Sequence, residues 1–268
     1  MNVSCISLLT DFGLCDEYVG VMKGVIASIH PQVSVIDICH DIDPQNIIQA
    51  AYMLWHTHAF FPKQTIHVAV VDPGVGTDRR IIALKANDYF FIAPDNGILT
   101  LIINNYDCLS VFVTASQFIL PQVSSTFHGR DIFAPIAAHL SKDLNFNKLG
   151  EKIPANQPVK LSEIYPIKQK NQLIGKVIMI DRFGNLITNI SLKDLNQEIN
   201  RTSTIYVNNK KIRGIASNYM QVRTGELLAI IGSKGLLEIS INCGNARLEL
   251  GVEIGDQIRV SQTKELTN

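Results

Sequence analysis

Four aspartates in the first hundred residues each follow an apolar segment: Asp11, Asp41, Asp72 and Asp95. In an open α/β sheet the carboxyl ends of the strands line the ligand crevice, so acids at successive strand ends indicate a binding site. Taken singly, each aspartate is better explained as a turn or cap residue, because Asp is at home in both. Their recurrence favours a functional role for the group.

The segment around Asp72 carries the strongest signal. A run of apolar, mostly β-branched residues ends at Asp72, and Pro-Gly-Val-Gly76 then makes a turn that leads to Arg79 and Arg80. A dinucleotide-binding loop needs a third glycine where Arg79 stands, and a helix after it, whereas a strand is predicted here. The pattern therefore indicates a carboxylate and a guanidinium brought together across a turn.

One of the histidines is a candidate for proton transfer. His128 lies in Thr126-Phe-His-Gly-Arg-Asp131, a polar loop entering a helix, where an imidazole can face a site and titrate near neutrality. A cap or packing role is comparably compatible with the pattern. His56 and His58 are two apart on an apparent helix and make a poor metal pair. His40, His67 and His139 have no partner at ligand spacing.

Composition restricts the class of protein. The chain has 268 residues, of which 46% are hydrophobic and 18% charged, with 24 basic and 24 acidic residues giving a formal net charge of zero. This balance is typical of a compact globular protein and gives no reason to expect nucleic acid or a membrane as partner. Five scattered cysteines and the lack of a long apolar segment predict a cytoplasmic protein with reduced thiols.

The first half of the chain alternates between strands and helices, which predicts a mostly parallel sheet flanked by helices. The predicted elements are strand 3–9, a helix with Asp16 as N-cap that Pro31 ends, strand 33–38, a helix beginning at Asp43-Pro44, the strand before Asp72, a hairpin of 81–86 and 89–92, a helix at 98–103, strand 109–113 and a helix with Phe133, Ile136, Ala137 and Leu140 inward.

The second half contains only short strands separated by Gly and Asn turns. They are predicted at 174–180, 186–190, 204–207, 227–231, 236–241 and 257–260, a spacing that favours a small antiparallel β-barrel or sandwich. Proline-rich residues near 145–172 make the connection. We therefore predict an α/β catalytic domain at 1–160 and a smaller β-barrel domain at 161–268.

Six motifs in this order make the chain resemble the S-adenosylmethionine (SAM) hydroxide adenosyltransferases, the SAM hydrolases related to fluorinase and chlorinase. The motifs are Thr10-Asp-Phe-Gly13, Asp72-Pro-Gly-Val-Gly76 with Arg79, Pro94-Asp-Asn-Gly97, Phe127-His-Gly-Arg-Asp131, Asp181-x-Phe-Gly-Asn185 and Gly232-Ser-x-Gly235. The resemblance implies hydrolysis of SAM to adenosine and L-methionine by attack of water or hydroxide at C5′. It also implies a homotrimer with sites between the first domain of one subunit and the second of its neighbour.

The resemblance assigns roles by position. Asp72, Arg79 and His128 match the family's catalytic triad. Asp11 matches the aspartate that grips the ribose hydroxyls, and Asp16 the acid near the methionine amino group. Phe127 is a further substrate-binding candidate beside His128. Asp181, Asn185 and Ser233 match methionine and adenine contacts, and Cys243 falls where backbone reads the adenine edge. SAM is the substrate, and no cofactor or metal is implied.

Two other functions remain open. A halide-dependent adenosyltransferase is the nearer one, but the resemblance places an aromatic residue of fluorinases at the position of Asp72 and no triad histidine at that of His128. An anionic Asp72 would repel a bare halide, so water is the better nucleophile here. The second alternative is a non-catalytic SAM or adenosine sensor, for which an intact acid, guanidinium and imidazole would serve no purpose.

Overall fold

The computed structural model describes residues 5–170, 172–195 and 203–261. Contacts divide the chain into two compact units, residues 1–161 and 162–268. The predicted fold class is confirmed: the first unit is a mixed sheet with helices, and the second is an antiparallel, barrel-like sheet. No helix in the described ranges has the length and apolar character needed to span a membrane.

The first unit is built on one six-stranded sheet. Its elements are β1 (Cys5–Thr10), α1 (Tyr18–Ile29), β2 (Ser34–Cys39), α2 (Ile47–Thr57), β3 (Ile66–Val70), β4 (Ile81–Ala86), β5 (Tyr89–Pro94), α3 (Thr100–Asn105), β6 (Cys108–Phe112), a π-helical turn (Gly129–Phe133) and α4 (Ala134–Ser141). The strand order is β2-β1-β3-β5-β4-β6. β1, β2, β3 and β5 are parallel, and β4 is antiparallel to both neighbours.

Both faces of this sheet are buried, which explains the unbroken apolar runs in its central strands. On β3, Ile66, Val68 and Val70 pack on one face with α1 and α4, whereas Ala69 and the adjacent Val71 pack on the other face with α2 and α3. Because β1, β2, β3 and β5 are parallel, they all end at the same edge, and Asp11 and Asp72 follow the ends of β1 and β3.

Two predicted helix starts are wrong. The N-cap of α1 is Glu17, which makes no capping hydrogen bond through its side chain, so Asp16 does not cap this helix. α2 begins at Ile47 rather than at Asp43-Pro44, because Gln45 has a positive φ of 65° that ends any helical path before it. Asn46 is the true cap, and its side chain accepts a hydrogen bond from the Gln49 N–H at 3.0 Å.

The second unit is one antiparallel sheet that nearly closes on itself. Its elements are β7 (Ile167–Gln169), β8 (Gln172–Ile180), β9 (Leu186–Ser191), β10 (Thr204–Val207), β11 (Lys210–Arg213), β12 (Leu227–Ile231), β13 (Leu236–Ile241), α5 (Ala246–Leu250) and β14 (Gln257–Ser261). The order is β11-β10-β14-β8-β9-β13-β12, with β7 on β8, and a bridge from Ala216 to Ile230 brings the far edges together. The six predicted strands are confirmed; β7, β11 and α5 were not predicted.

Candidate active site

A cleft of about 420 Å³ opens in the first unit at the carboxyl ends of β1 and β3. Asp11, Asp72 and His128 line it, together with aromatic side chains. Each of these three residues follows the end of an element or precedes the start of one. The cleft therefore occupies the edge at which ligands bind in open α/β sheets.

Asp72, Arg79 and His128 form a connected group in this cleft. The Nε of Arg79 donates to both carboxylate oxygens of Asp72 at 2.8 and 2.9 Å, and its Nη2 contacts Oδ2 as well. The same Nη2 lies 2.7 Å from Nδ1 of His128. Arg79 is only 11% exposed and holds the two residues that face the cleft. One guanidinium thus fixes the positions of the carboxylate and the imidazole.

This contact fixes the protonation of His128. An arginine nitrogen can only donate, so Nδ1 of His128 must accept, and the neutral ring carries its proton on Nε2. Burial lowers the pKa of His128, and the positive charge of Arg79 lowers it further, against the opposing charges of Asp72 and Asp131. At neutral pH His128 is therefore a hydrogen-bond donor through Nε2 and is not a cation.

A glycine in the loop after β3 lets this loop pack against the loop before His128. Gly76 has a φ of 77°, and a Cβ at this position would collide with the carbonyl oxygen of Ser125. The loop after β3 therefore packs directly on the loop before His128, which only glycine permits. Gly74 does not need a positive φ.

The loop that carries His128 is fixed from beneath by Asp131. This carboxylate is fully buried, accepts from the backbone N–H of Ser124 at 2.8 Å, and pairs with Nε of Arg130 at 2.6 Å. His128 directly precedes the π-helical turn, a rare conformation that concentrates at functional sites. Sequence periodicity predicts a helix here and cannot distinguish its π-helical first turn.

Asp11 follows the end of β1, the strand beside β3 in the sheet, and lines the same cleft. Its Oδ2 accepts from the backbone N–H of Gln45 at 2.9 Å. Phe12, Tyr18 and Phe127 complete a wall of edge-to-face and tilted rings, with centroid distances of 4.9 to 6.0 Å. Tyr18 and Gln45 line the cleft but were not among the predicted site residues. Asp16 is exposed and is not among the cleft-lining residues.

The site residues predicted in the second unit fall on its turns. Asp181 accepts from the backbone N–H groups of Phe183 and Asn185, and from the side chain of Asn185, each at 2.9 Å. Ser233 is exposed in the turn between β12 and β13, and Cys243 is exposed with a φ of 57°. Glu238, which was not predicted, is buried beside Gly232, and burial raises its pKa.

Sequence comparison identifies the family. Residues 6–150 match the SAM hydroxide adenosyltransferase N-terminal domain, and residues 175–259 match the C-terminal domain of the same family. The chain belongs to the SAM hydroxide adenosyltransferases. The resemblance inferred from six motifs is thereby confirmed over nearly the whole length.

Individual relatives of the chain agree with this family assignment. An (R)-S-adenosyl-L-methionine hydrolase of Thermus thermophilus is 34% identical over 260 residues, which cover 94% of this chain and 97% of the relative. A fluorinase of Nocardia brasiliensis is 29% identical over 216 residues, covering 71% of this chain and 72% of the relative. The crystal structure of an uncharacterized conserved protein from Thermotoga maritima has a TM-score of 0.88 at 37% identity, covering 96% of this chain and all of that one.

Proposed function

We propose that this protein hydrolyses S-adenosyl-L-methionine to adenosine and L-methionine by attack of water at C5′. The observation that carries the proposal is the connected Asp72–Arg79–His128 group at the cleft, in a chain that its hydrolase relatives match over nearly the whole length. The relatives' names specify the (R) form of the substrate, so we include the (R) epimer at sulfur as the preferred substrate.

The proposed hydrolysis requires chiefly a correctly positioned water. The sulfonium makes methionine a good leaving group, so C5′ needs an in-line nucleophile at near-attack distance more than it needs an acid. A water in the cleft can accept a hydrogen bond from Nε2 of His128 and donate one to the carboxylate of Asp72. Both oxygens of Asp72 bind Arg79, but each carboxylate oxygen has a further acceptor site.

These two contacts leave one lone pair of the water for C5′. As the C5′–O bond forms and the C5′–S bond breaks, the sulfur takes the bonding electron pair and the water proton passes to Asp72 or to solvent. His128 thus orients the water through Nε2 and does not remove its proton. Arg79 serves by holding its two neighbours in register.

Substrate positioning follows from the rest of the cleft. Asp11, held by the N–H of Gln45, can accept from both ribose hydroxyls and so fix C5′. The rings of Phe12, Tyr18 and Phe127 offer a face to the sulfonium cation, an interaction worth about 0.5–2 kcal/mol. Asp16, Asp181, Asn185, Ser233 and Cys243 remain proposed contacts to methionine and adenine.

Chromatography of the products tests the function. The purified protein is incubated separately with the (R) and (S) epimers of SAM, and with His128→Ala as the matched inactive control. We expect equimolar adenosine and methionine, formed faster from the (R) epimer. Methylated products, or adenosine no higher than in a blank without protein, would refute hydrolysis. Equal adenosine from wild type and His128→Ala would refute the role of His128, and faster turnover of the (S) epimer would refute only the stereochemical preference.

The two alternatives are distinguished in the same assay. A halide adenosyltransferase would form a 5′-halogenated nucleoside when chloride or fluoride is added. This alternative is tested because a fluorinase is among the relatives, at 29% identity. The carboxylate of Asp72 in the cleft disfavours a halide there. A sensor would bind SAM tightly in calorimetry without consuming it over hours.

The assembly, cofactor and location are further parts of the proposal. We propose a homotrimer with sites at subunit interfaces, an arrangement that the resemblance to the SAM hydroxide adenosyltransferases implies. Analytical ultracentrifugation tests the homotrimer, and a monomer that is fully active would exclude it.

We also propose catalysis without a cofactor or metal, since the sulfonium needs no further activation; activity should survive EDTA. The proposed cytoplasmic location, for which five free cysteines argue, is checked by cell fractionation.

A further inference from the structure

The turn Pro94-Asp-Asn-Gly97 lies outside the cleft lining, and the chemistry described so far gives it no role. Its place follows from the strand order, in which β5 lies between β3 and β4. β3 ends just before Asp72, and β4 begins just after Arg80. The loop that carries Asp72 and Arg79 must therefore pass over the carboxyl end of β5, from which this turn emerges.

Asn96 contacts the beginning of that loop. Its Nδ2 donates to the carbonyl oxygen of Val71 at 2.8 Å, and Val71 is the residue immediately before Asp72. The other side-chain atom of the amide, Oδ1, accepts from the N–H of Ile98 at 3.2 Å. The amide is thus held on its own turn and fixes the carbonyl next to the candidate catalytic carboxylate.

Asp95 contacts the end of the same loop. Its backbone N–H donates to the carbonyl oxygen of Arg80 at 2.9 Å, and its carboxylate pairs with the guanidinium of Arg80 at 2.9 Å. The carboxylate is 2% exposed and also accepts from the N–H of Val159 at 2.8 Å. The guanidinium of Arg80 in turn lies 4.1 Å from the ring centre of Phe112. Arg80 directly follows Arg79, so these contacts hold the end of the loop next to Arg79.

We propose that Asp95 and Asn96 are positioning residues that clamp both ends of the loop from Val71 to Arg80 and so hold Asp72 and Arg79 in register with His128. The proposal rests on the proposed function in one respect: the clamp matters for turnover only if that loop carries out the hydrolysis. Neither residue of the clamp lines the cleft. The expected signature of its loss is a fall in kcat with little change in substrate binding.

The substitution Asn96→Asp tests the clamp with the smallest change in shape. It keeps the acceptor for Ile98 but removes the donor to Val71 and places a carboxylate oxygen against a carbonyl. We expect kcat to fall at least tenfold while KM changes less than threefold. Asn105→Asp is the matched control, because Asn105 Nδ2 also donates to a backbone carbonyl, that of Leu101, at 2.8 Å on α3. This control should keep kcat within twofold of wild type.

Nitrogen NMR of labelled histidine gives a readout that does not depend on turnover. The Nδ1 signal of His128 reports its contact with Arg79, so it should shift in Asn96→Asp and stay unchanged in Asn105→Asp. A shift in a protein that does not consume SAM would uphold the clamp and refute the proposed function. An unshifted signal, or a kcat within twofold of wild type, would overturn the clamp.

A second variant covers the case in which Asn96→Asp does not fold. Arg80 has a side chain that is 44% exposed, so Arg80→Gln should be tolerated while the contact with Asp95 is weakened. We expect at least a threefold fall in kcat with the same His128 signal shift. Unchanged kcat and an unchanged signal in a folded Arg80→Gln protein would overturn the proposal.

Discussion

Removing the charge of Asp72 should damage stability and turnover together. Its side chain is 5% exposed and that of Arg79 is 11% exposed, so the pair is buried. The substitution Asp72→Asn keeps the shape but leaves the guanidinium without a counter-charge. Breaking a buried pair in this way costs about 3–5 kcal/mol. At about 2–4 °C per kcal/mol for a chain of this size, Tm should fall by about 6–20 °C.

A double variant separates the two effects. Asp72→Leu combined with Arg79→Met removes both charges and replaces them with apolar groups of similar size, which is often neutral for stability. We expect the double variant to recover most of the lost Tm but none of the turnover. Scanning calorimetry measures Tm, and chromatography of adenosine formed from SAM measures turnover.

Two results would refute this reasoning. If Tm of Asp72→Asn stays within about 2 °C of wild type, the buried pair does not contribute as its contacts imply. If the double variant is no more stable than the single one, the loss does not come from an unpaired charge. Full turnover in Asp72→Asn would separately remove Asp72 from the chemistry.

Three further changes have defined outcomes. Protonation of His128 removes the acceptor that Arg79 needs, and because the pKa of His128 is lowered, kcat/KM should fall only below about pH 6.5 and stay flat above it. His128→Ala misplaces the attacking water and should lower kcat about 10²-fold and abolish the acid limb, as a pH–rate profile will show. Gly76→Ala should lower the free energy of unfolding by about 1–3 kcal/mol and remove most of kcat, because the added Cβ collides with Ser125. Gly251→Ala is the control, since Gly251 has a similar φ but open space around it, and this variant should keep kcat. Equal kcat in the two variants would contradict this prediction. Burial lowers the pKa of His67 from 6.5 to about 3, so between these pH values the unfolded chain binds more protons than the folded one. The free energy of unfolding should therefore fall as pH drops through that range. Urea denaturation of His67→Gln should show a weaker dependence of this free energy on pH, and an unchanged dependence would contradict the role of His67.

The strands could be predicted from sequence because burial on both faces leaves a plain mark. The apolar run before Asp72 is a central strand, and Leu227–Ile231 and Leu236–Ile241 have the predicted bounds. In such segments the local preference and the tertiary environment agree.

Helix starts failed where a local signal competes with the site. Asp43-Pro44 is a good beginning for a helix by composition, but Gln45 adopts a positive φ and gives its N–H to Asp11. That contact lies 34 residues away along the chain and leaves no local trace. Asp16 likewise resembles a cap, yet Glu17 is the N-cap and the helix begins at Tyr18.

The arrangement of the site could be predicted only in part. The glycine turn indicated that Asp72 and Arg79 meet, because the two are seven residues apart. The contact between Arg79 and His128 spans 49 residues, and that between Asn96 and Val71 spans 25. Such contacts depend on strand order, which periodicity alone does not determine. The family resemblance proposed the first of them and gave no role to the second.

Isotope labelling tests the central claim most directly. The protein is incubated with SAM in water enriched in oxygen-18, and the adenosine and methionine are analysed by mass spectrometry. Attack of water at C5′ predicts one heavy oxygen in the 5′-hydroxyl of adenosine and none in methionine. Unlabelled adenosine, a heavy oxygen in methionine, or a nucleoside product other than adenosine would contradict it.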